Sequence, residues 1–292
     1  MNRYVFYAVF SGCLAGANGL IGRILADGGM SSTEIGACRF AIAAVIYFAA
    51  VLRENPAALK IRPKDLWLFL GTGAVGQLLY SALFFTAVKM MPLSTASTVS
   101  LVWPFFVIFL AWIFFRESLT LRKLLAAVLA FGGCALCSGA FGGERPPLRG
   151  VLLALGSGLS YSIYSVCSRA AMQRGYSLKT INFYTWLFAF IGNRLLWPAD
   201  RPFLHMAARW ENVAACLFIG VMVGYVSSLL YLKALTKIDA GKASVLTFSS
   251  PVVAAVLGVV IYSEPVTLWQ ITGVLLILGG MLLLSQKSVS GE

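Results

Sequence analysis

Moving the first half of the chain forward by 147 positions lays its landmarks onto those of the second half. Gly73 meets Gly220, Ala96-Ser97 meets Ala243-Ser244, Pro104 meets Pro251, and Glu117 meets Glu264. Thr120-Leu121 meets Thr267-Leu268, and Gly132-Gly133 meets Gly279-Gly280. The stretch 70–138 maps onto 217–285 without a gap. A shared preference for Leu and Ala would scatter matches. It would not align prolines, acids and both double glycines in one register.

Each copy holds five apolar runs, and a helix needs about 20 apolar residues to cross a bilayer. The ten runs are 4–25, 33–52, 66–88, 94–115, 121–141, 149–169, 178–197, 213–234, 243–262 and 267–285. Five is odd, so the second copy enters the membrane from the opposite side. This is an inverted-topology repeat, the layout secondary transporters use for alternating access. The expected fold is an all-α membrane protein of ten transmembrane helices in two inverted five-helix repeats, 1–141 and 149–285.

Composition agrees. Of 292 residues, 59% are hydrophobic and 12% charged, and the mean hydropathy is +0.84. A soluble domain is about 25% charged, and disorder needs low hydrophobicity with high charge. In a soluble protein a net charge of +12 would suggest nucleic acid. Here the basic residues fill short gaps between apolar runs, as the positive-inside rule requires. With the N-terminus inside, inner segments hold 15 Lys and Arg against 7 outside, Arg39 set apart. Both termini and the Arg53–Asp65 loop are therefore expected in the cytoplasm, and Pro198–Asn212 outside. The run from Tyr4 is too long for a signal peptide core and is read as an uncleaved first span.

The gaps leave no room for a soluble domain, and no Walker motif or dinucleotide fingerprint occurs. His205 is the only histidine, so the six cysteines form no zinc pattern with His, and no cofactor is expected. Cys134 and Cys137 are read as small packing residues of a helix.

The chain resembles the EamA family of the drug/metabolite transporter superfamily. The resemblance rests on Arg39-Phe40-Ala41-Ile42-Ala43-Ala44 in span two and on Arg116-Glu117-Ser118-Leu119-Thr120 after span four. Ser263-Glu264-Pro265-Val266-Thr267 is the counterpart of the latter, and the double-glycine helices follow each. It covers nearly the whole chain. It implies ten helices in a five-plus-five inverted fold and export or exchange of small metabolites, without naming one. The aromatic-amino-acid exporters of this superfamily also carry a Trp-Pro in span four, as Trp103-Pro104 does here.

Candidate functional residues follow from what a bilayer penalises. A proline inside a helix frees the carbonyl four residues earlier. Pro104 frees Ser100, Pro251 frees Thr247, and such groups should face protein or a water-filled cavity. Hydroxyl residues crowd both sites. Gln77 and Tyr80 lie one turn apart in span three, and Tyr161 and Tyr164 one turn apart in span six. Substrate-lining residues are thus expected to be Gln77, Tyr80, Ser100, Trp103, Tyr164 and Thr247. The bland alternatives are interhelical hydrogen bonds and, near the ends, aromatic belts. Arg39 lies about seven residues into span two. It either holds a substrate carboxylate in its bidentate fork or snorkels outward and locks a loop through Asp27 or Glu34; its modest depth favours the second. The glycines of span one (Gly12, Gly16, Gly19, Gly22) read as a close-packing face.

No Asp or Glu lies deep inside a proposed span; Glu34 stands at the second residue of the run 33–52, and the other acids lie at ends or in loops. A proton-exchanging cation exporter normally embeds one, so facilitated efflux fits better. A membrane enzyme would need clustered acids, a metal set or a nucleophile with its base. A scaffold would need no symmetric broken helices. The reading is a non-ATP exporter of small metabolites, amino acids or related compounds, in the cytoplasmic membrane. The alternative is a drug or organic-cation exporter of the same superfamily. Expected partners are a small-molecule substrate and the lipid bilayer, not nucleic acid; a monomer is compatible with the fold.

Overall fold

The computed structural model describes residues 3–91, 93–137, 146–262 and 267–285, and every regular element among them is helical. The first half comprises α1 (Arg3–Asp27), α2 (Ser32–Glu54), α3 (Leu66–Leu70), α4 (Tyr80–Val88), α5 (Leu93–Ser100), α6 (Trp103–Phe115) and α7 (Leu121–Cys137). The second comprises α8 (Leu148–Gln173), α9 (Leu178–Leu196), a short α10 (Pro202–Ala207), α11 (Trp210–Phe218), α12 (Ser228–Leu235), α13 (Ala240–Leu246), α14 (Ser249–Tyr262) and α15 (Leu268–Ser285). Among the described residues, seven helical stretches are long and apolar enough to cross a membrane.

Two features of these helices were not apparent from hydropathy. The run at 66–88 is one continuous helix with a π-helical middle, Gly71–Leu79, between α3 and α4. The run at 213–234 repeats this with a π-helical Ile219–Ser227 between α11 and α12. π-Helical turns are rare, are mostly single turns and frequently mark functional sites; here two long ones stand at near-equivalent positions. The proline-bearing runs also break as expected. α5 stops at Ser100 and α6 restarts at Trp103, with Pro104 in its first turn. α13 stops at Leu246 and α14 restarts at Ser249.

Contacts between the halves are reciprocal under the 147-residue shift. A Cβ on Gly133 would strike Ile277 of α15, and one on Gly280 would strike Ala130 of α7, the equivalent pair. The π segment at Gly73 presses on Ala189 of α9, and the one at Gly220 presses on Ile42 of α2. In each case the third run of one half packs on the first two helices of the other, as α1 and α2 receive Ile219–Ser227, and α8 and α9 receive Gly71–Leu79.

Small residues do only part of the packing expected of them. Gly12 and Gly16 lie against Thr247, Ser250 and Val253, whereas Gly19 and Gly22 face open space. Of each double glycine, Gly133 and Gly280 pack; Gly132 and Gly279 meet nothing. Cys134 is buried; the side chain of Cys137 and all of Glu264 lie outside the described residues.

The loops gather at two ends. At one, Thr33 donates a hydrogen bond to Asp200 at 2.5 Å, and Glu34 accepts from the Arg201 amide at 3.0 Å and pairs with His205 at 2.8 Å. At the other, Arg174 and Tyr176 hold Asp65, Lys179 pairs with Glu54, and Arg169 pairs with Glu117 at 2.6 Å.

Candidate transport site

The centre is built where the π segments and the broken helices pass α8. Gly76 allows the closest approach. A Cβ there would come within 2.5 Å of Tyr164 Cβ and 2.8 Å of its Cα, so only glycine lets the first π segment lie on α8 at this level. Tyr80 follows one turn later. Its ring meets Tyr161 at 5.2 Å between centroids. Tyr161 in turn meets Trp103 edge-to-face at 4.9 Å and Tyr164 at 5.7 Å. Tyr231 closes the group, 6.4 Å from Trp103 and 6.2 Å from Tyr164. Five rings from four runs therefore meet at distances and tilts typical of favourable aromatic pairs.

The hydroxyls of Tyr164 and Tyr231 are spent on hydrogen bonds across the bundle. Tyr164 donates to Asn182 Oδ1 at 3.2 Å, and Asn182 Nδ2 donates to the Tyr47 oxygen at 2.9 Å. Tyr47 donates to the Tyr225 carbonyl at 2.7 Å, inside the second π segment. The Tyr231 and Ser165 hydroxyls share a bond of 2.7 Å, as do Ser100 and Ser157.

Of the lining residues expected from sequence, Tyr80, Trp103 and Tyr164 are brought together through Tyr161. Ser100, at the end of α5, packs on α8 through its bond to Ser157. Gln77 is buried one turn before Tyr80. Thr247 is placed elsewhere: its hydroxyl donates to the Ser244 carbonyl at 2.7 Å, and its backbone oxygen lies 2.6 Å from where a Cβ on Gly12 would stand. Several hydroxyls near Pro251 thus bond backbone: Ser244 bonds the Gly241 carbonyl and Ser249 the Val9 carbonyl of α1.

Arg39 corrects the preferred sequence expectation. It locks no loop. Glu34 is occupied by His205 and by the Ser31 and Arg201 amides. Arg39 turns inward instead, because aromatic faces are available there and the polar loop partner is not. Its guanidinium lies over Phe40 at 5.2 Å and over Trp186 at 5.8 Å. Nη1 donates a long bond of 3.4 Å to Asn18 Oδ1. Its Nε and the Trp186 Nε1 are buried without a partner. Arg39, Tyr80 and Tyr161 each keep partial exposure.

Sequence reasoning missed Tyr47 and Tyr231. Tyr231 stands 147 residues after Phe84, so the repeat carried a signal for it. Trp186 stands 147 residues after Arg39, and the two meet in space.

An all-helical, membrane-crossing bundle with an enclosed aromatic and hydroxyl centre is the build of a membrane transporter. The EamA-like transporter family model matches this chain at residues 2–139 and again at 148–286. The chain belongs to that family. It is 26% identical over 285 residues to the uncharacterized transporter YwfM of Bacillus subtilis (strain 168), covering 97% of this chain and 94% of that one. An uncharacterized transporter of Archaeoglobus fulgidus is 24% identical, covering 88% and 90%. One solved structure, described as a crystal structure of protein, shares the fold with a TM-score of 0.81 at 21% identity, over 97% of this chain and 96% of that one.

Proposed function

We propose that this EamA-family transporter is a secondary exporter of amino acids or related small metabolites, working by alternating access across the cytoplasmic membrane. The substrate sits among Tyr80, Trp103, Tyr161 and Tyr164, with Gln77 and Ser100 beside them, and Arg39 is the carboxylate anchor. The carrying observation is the ring cluster itself: it joins α4 and the broken helix of one half to helices of the other half, so substrate contacts both halves. The reciprocal glycine contacts support ten spans in two inverted five-helix repeats, 1–141 and 149–285. In that frame both termini are cytoplasmic, and no step requires a cofactor or covalent chemistry, so the chain is not an enzyme.

Counterflow in proteoliposomes tests this, using a panel of amino acids and organic cations with and without a pH gradient. Amino-acid counterflow that persists after the gradient is collapsed is the expected result, because the one carboxylate within a proposed span, Glu34, sits at its end, held by His205 and two backbone amides, and none lies deep in a span to carry a proton. Exchange of organic cations alone would establish the alternative exporter. Complete dependence on a proton gradient would sink facilitated efflux.

A further inference from the structure

We infer that the central crevice takes its substrate by a carboxylate held on Arg39, and therefore selects carboxylate-bearing anions and zwitterions against organic cations. This rests on the transporter reading and gives its substrate class.

The first ground is an unbalanced charge. A guanidinium taken out of water loses several kcal/mol of solvation, roughly, unless an anion and hydrogen bonds replace the water. Among the described residues no carboxylate pairs with Arg39. The three buried acids are all consumed at the ends of the bundle. Glu34 is held by His205 and two backbone amides, Asp65 by Arg174 and Tyr176, and Glu117 by Arg169 and Lys123. Among the described residues no anion cancels the Arg39 charge.

The second ground is two orphan donors at one place. Arg39 Nε has no acceptor, and neither has Trp186 Nε1, although Trp186 is only 4% exposed. Buried donors are nearly always satisfied, so two on facing side chains, the guanidinium 5.8 Å from the Trp186 ring, point to an acceptor supplied from outside. The guanidinium is held by ring faces, Phe40 and Trp186, which orient it without using its N–H groups. Apart from the long Nη1 bond to Asn18, those groups are left for the fork geometry that matches a carboxylate.

The third ground is position. The Cγ of Arg39 lies 3.6 Å from where a Cβ on Gly224 would stand, so the arginine is packed on the second π segment. A carboxylate on Arg39 would leave the rest of a small molecule beside the Phe40 and Trp186 rings. A cation in the same place would meet an uncompensated positive charge, which discriminates by repulsion as well as by missing contacts.

The test uses the purified full chain and ligand-induced shifts in melting temperature. The probes are the common amino acids, their 2-oxo acids, and the methyl esters of the same amino acids, which keep the ammonium and lose the carboxylate. Carboxylate probes are expected to stabilise the protein and the esters to have no effect. Arg39→Gln should weaken binding of the responding probe about tenfold or more, and Arg39→Lys less, because lysine keeps the charge without the fork. Trp186→Phe keeps the ring and removes one donor, and should weaken binding severalfold. Each variant's melting curve without ligand reports folding. Esters that bind as well as acids, no response to any carboxylate, or unchanged binding by a folded Arg39→Gln would overturn the inference. Cation flux that survives Arg39→Gln would end it while leaving the transporter reading intact. Carboxylate binding without flux would do the reverse.

Discussion

Two charged residues in this molecule are treated in opposite ways. Glu117 follows Arg116, whose left-handed backbone (φ 53°) ends α6. Its carboxylate meets Arg169 at 2.6 Å and Lys123 at 3.8 Å, and accepts the Ala240 and Gly241 amides that open α13. Lys123 goes on to Asp239 at 2.7 Å, and Arg169 lies over Phe115 at 5.3 Å. Every charge there is answered, and the cluster ties α6, α7, α8 and α13 together at one end. Arg39 has rings, one long amide bond and an orphan donor. The same physics applies to both. A buried charge that is fully partnered has been placed for the fold; one that is left open has been placed for something that arrives later.

That contrast can be broken by mutation. The largest effect on stability is expected for Glu117→Ala, which strands Arg169 against buried surroundings. Removing one partner of a buried pair loses about 3–5 kcal/mol, and the melting temperature should fall accordingly. Next comes Gly76→Ala, since a Cβ would collide with the Tyr164 backbone; overpacking of this kind loses roughly 1–3 kcal/mol. Gly19→Ala is its control, because nothing stands within 4 Å, and thermal melts should show no loss. Tyr47→Phe removes a hydroxyl that serves Asn182 and the Tyr225 carbonyl. It should lose about 1–2 kcal/mol, leaving the Asn182 amide short of an acceptor. Ser157→Ala, which breaks only the bond to Ser100 and a bond within its own helix, should be smallest, at about 0.5–1 kcal/mol.

Much of this architecture was legible in the sequence. Span positions follow from hydropathy, so α1 at Arg3–Asp27 falls on the run 4–25 and α9 at Leu178–Leu196 on 178–197. Pro104 and Pro251 each announce a broken helix near the right place. The π segments were not legible, because in a run that is apolar on every side a change of helical period leaves no pattern to detect. The direction of Arg39 was not legible either. Seven residues into a helix it can reach outward or inward, and the choice depended on whether Glu34 was already taken by His205. Thr247 shows the limit of the proline argument: its carbonyl accepts from the Ser250 amide at 3.0 Å, so the proline marks where the helix breaks, not which groups are left open. The ring cluster was half visible. Tyr80, Trp103 and Tyr164 stood out as deep aromatics and Tyr161 only as the neighbour one turn from Tyr164, while Tyr231 needed the repeat to bring it forward.

The contrast between answered and unanswered charge is tested most directly by one paired measurement: melting temperature and counterflow, recorded side by side for Glu117→Gln and Arg39→Gln in the same lipid. The account expects Glu117→Gln to melt lower than the parent. It expects Arg39→Gln to melt at or above the parent, since an unpaired buried charge is gone, while counterflow falls about tenfold or more. An Arg39→Gln protein that melts as low as Glu117→Gln, or that melts normally and transports normally, would contradict it.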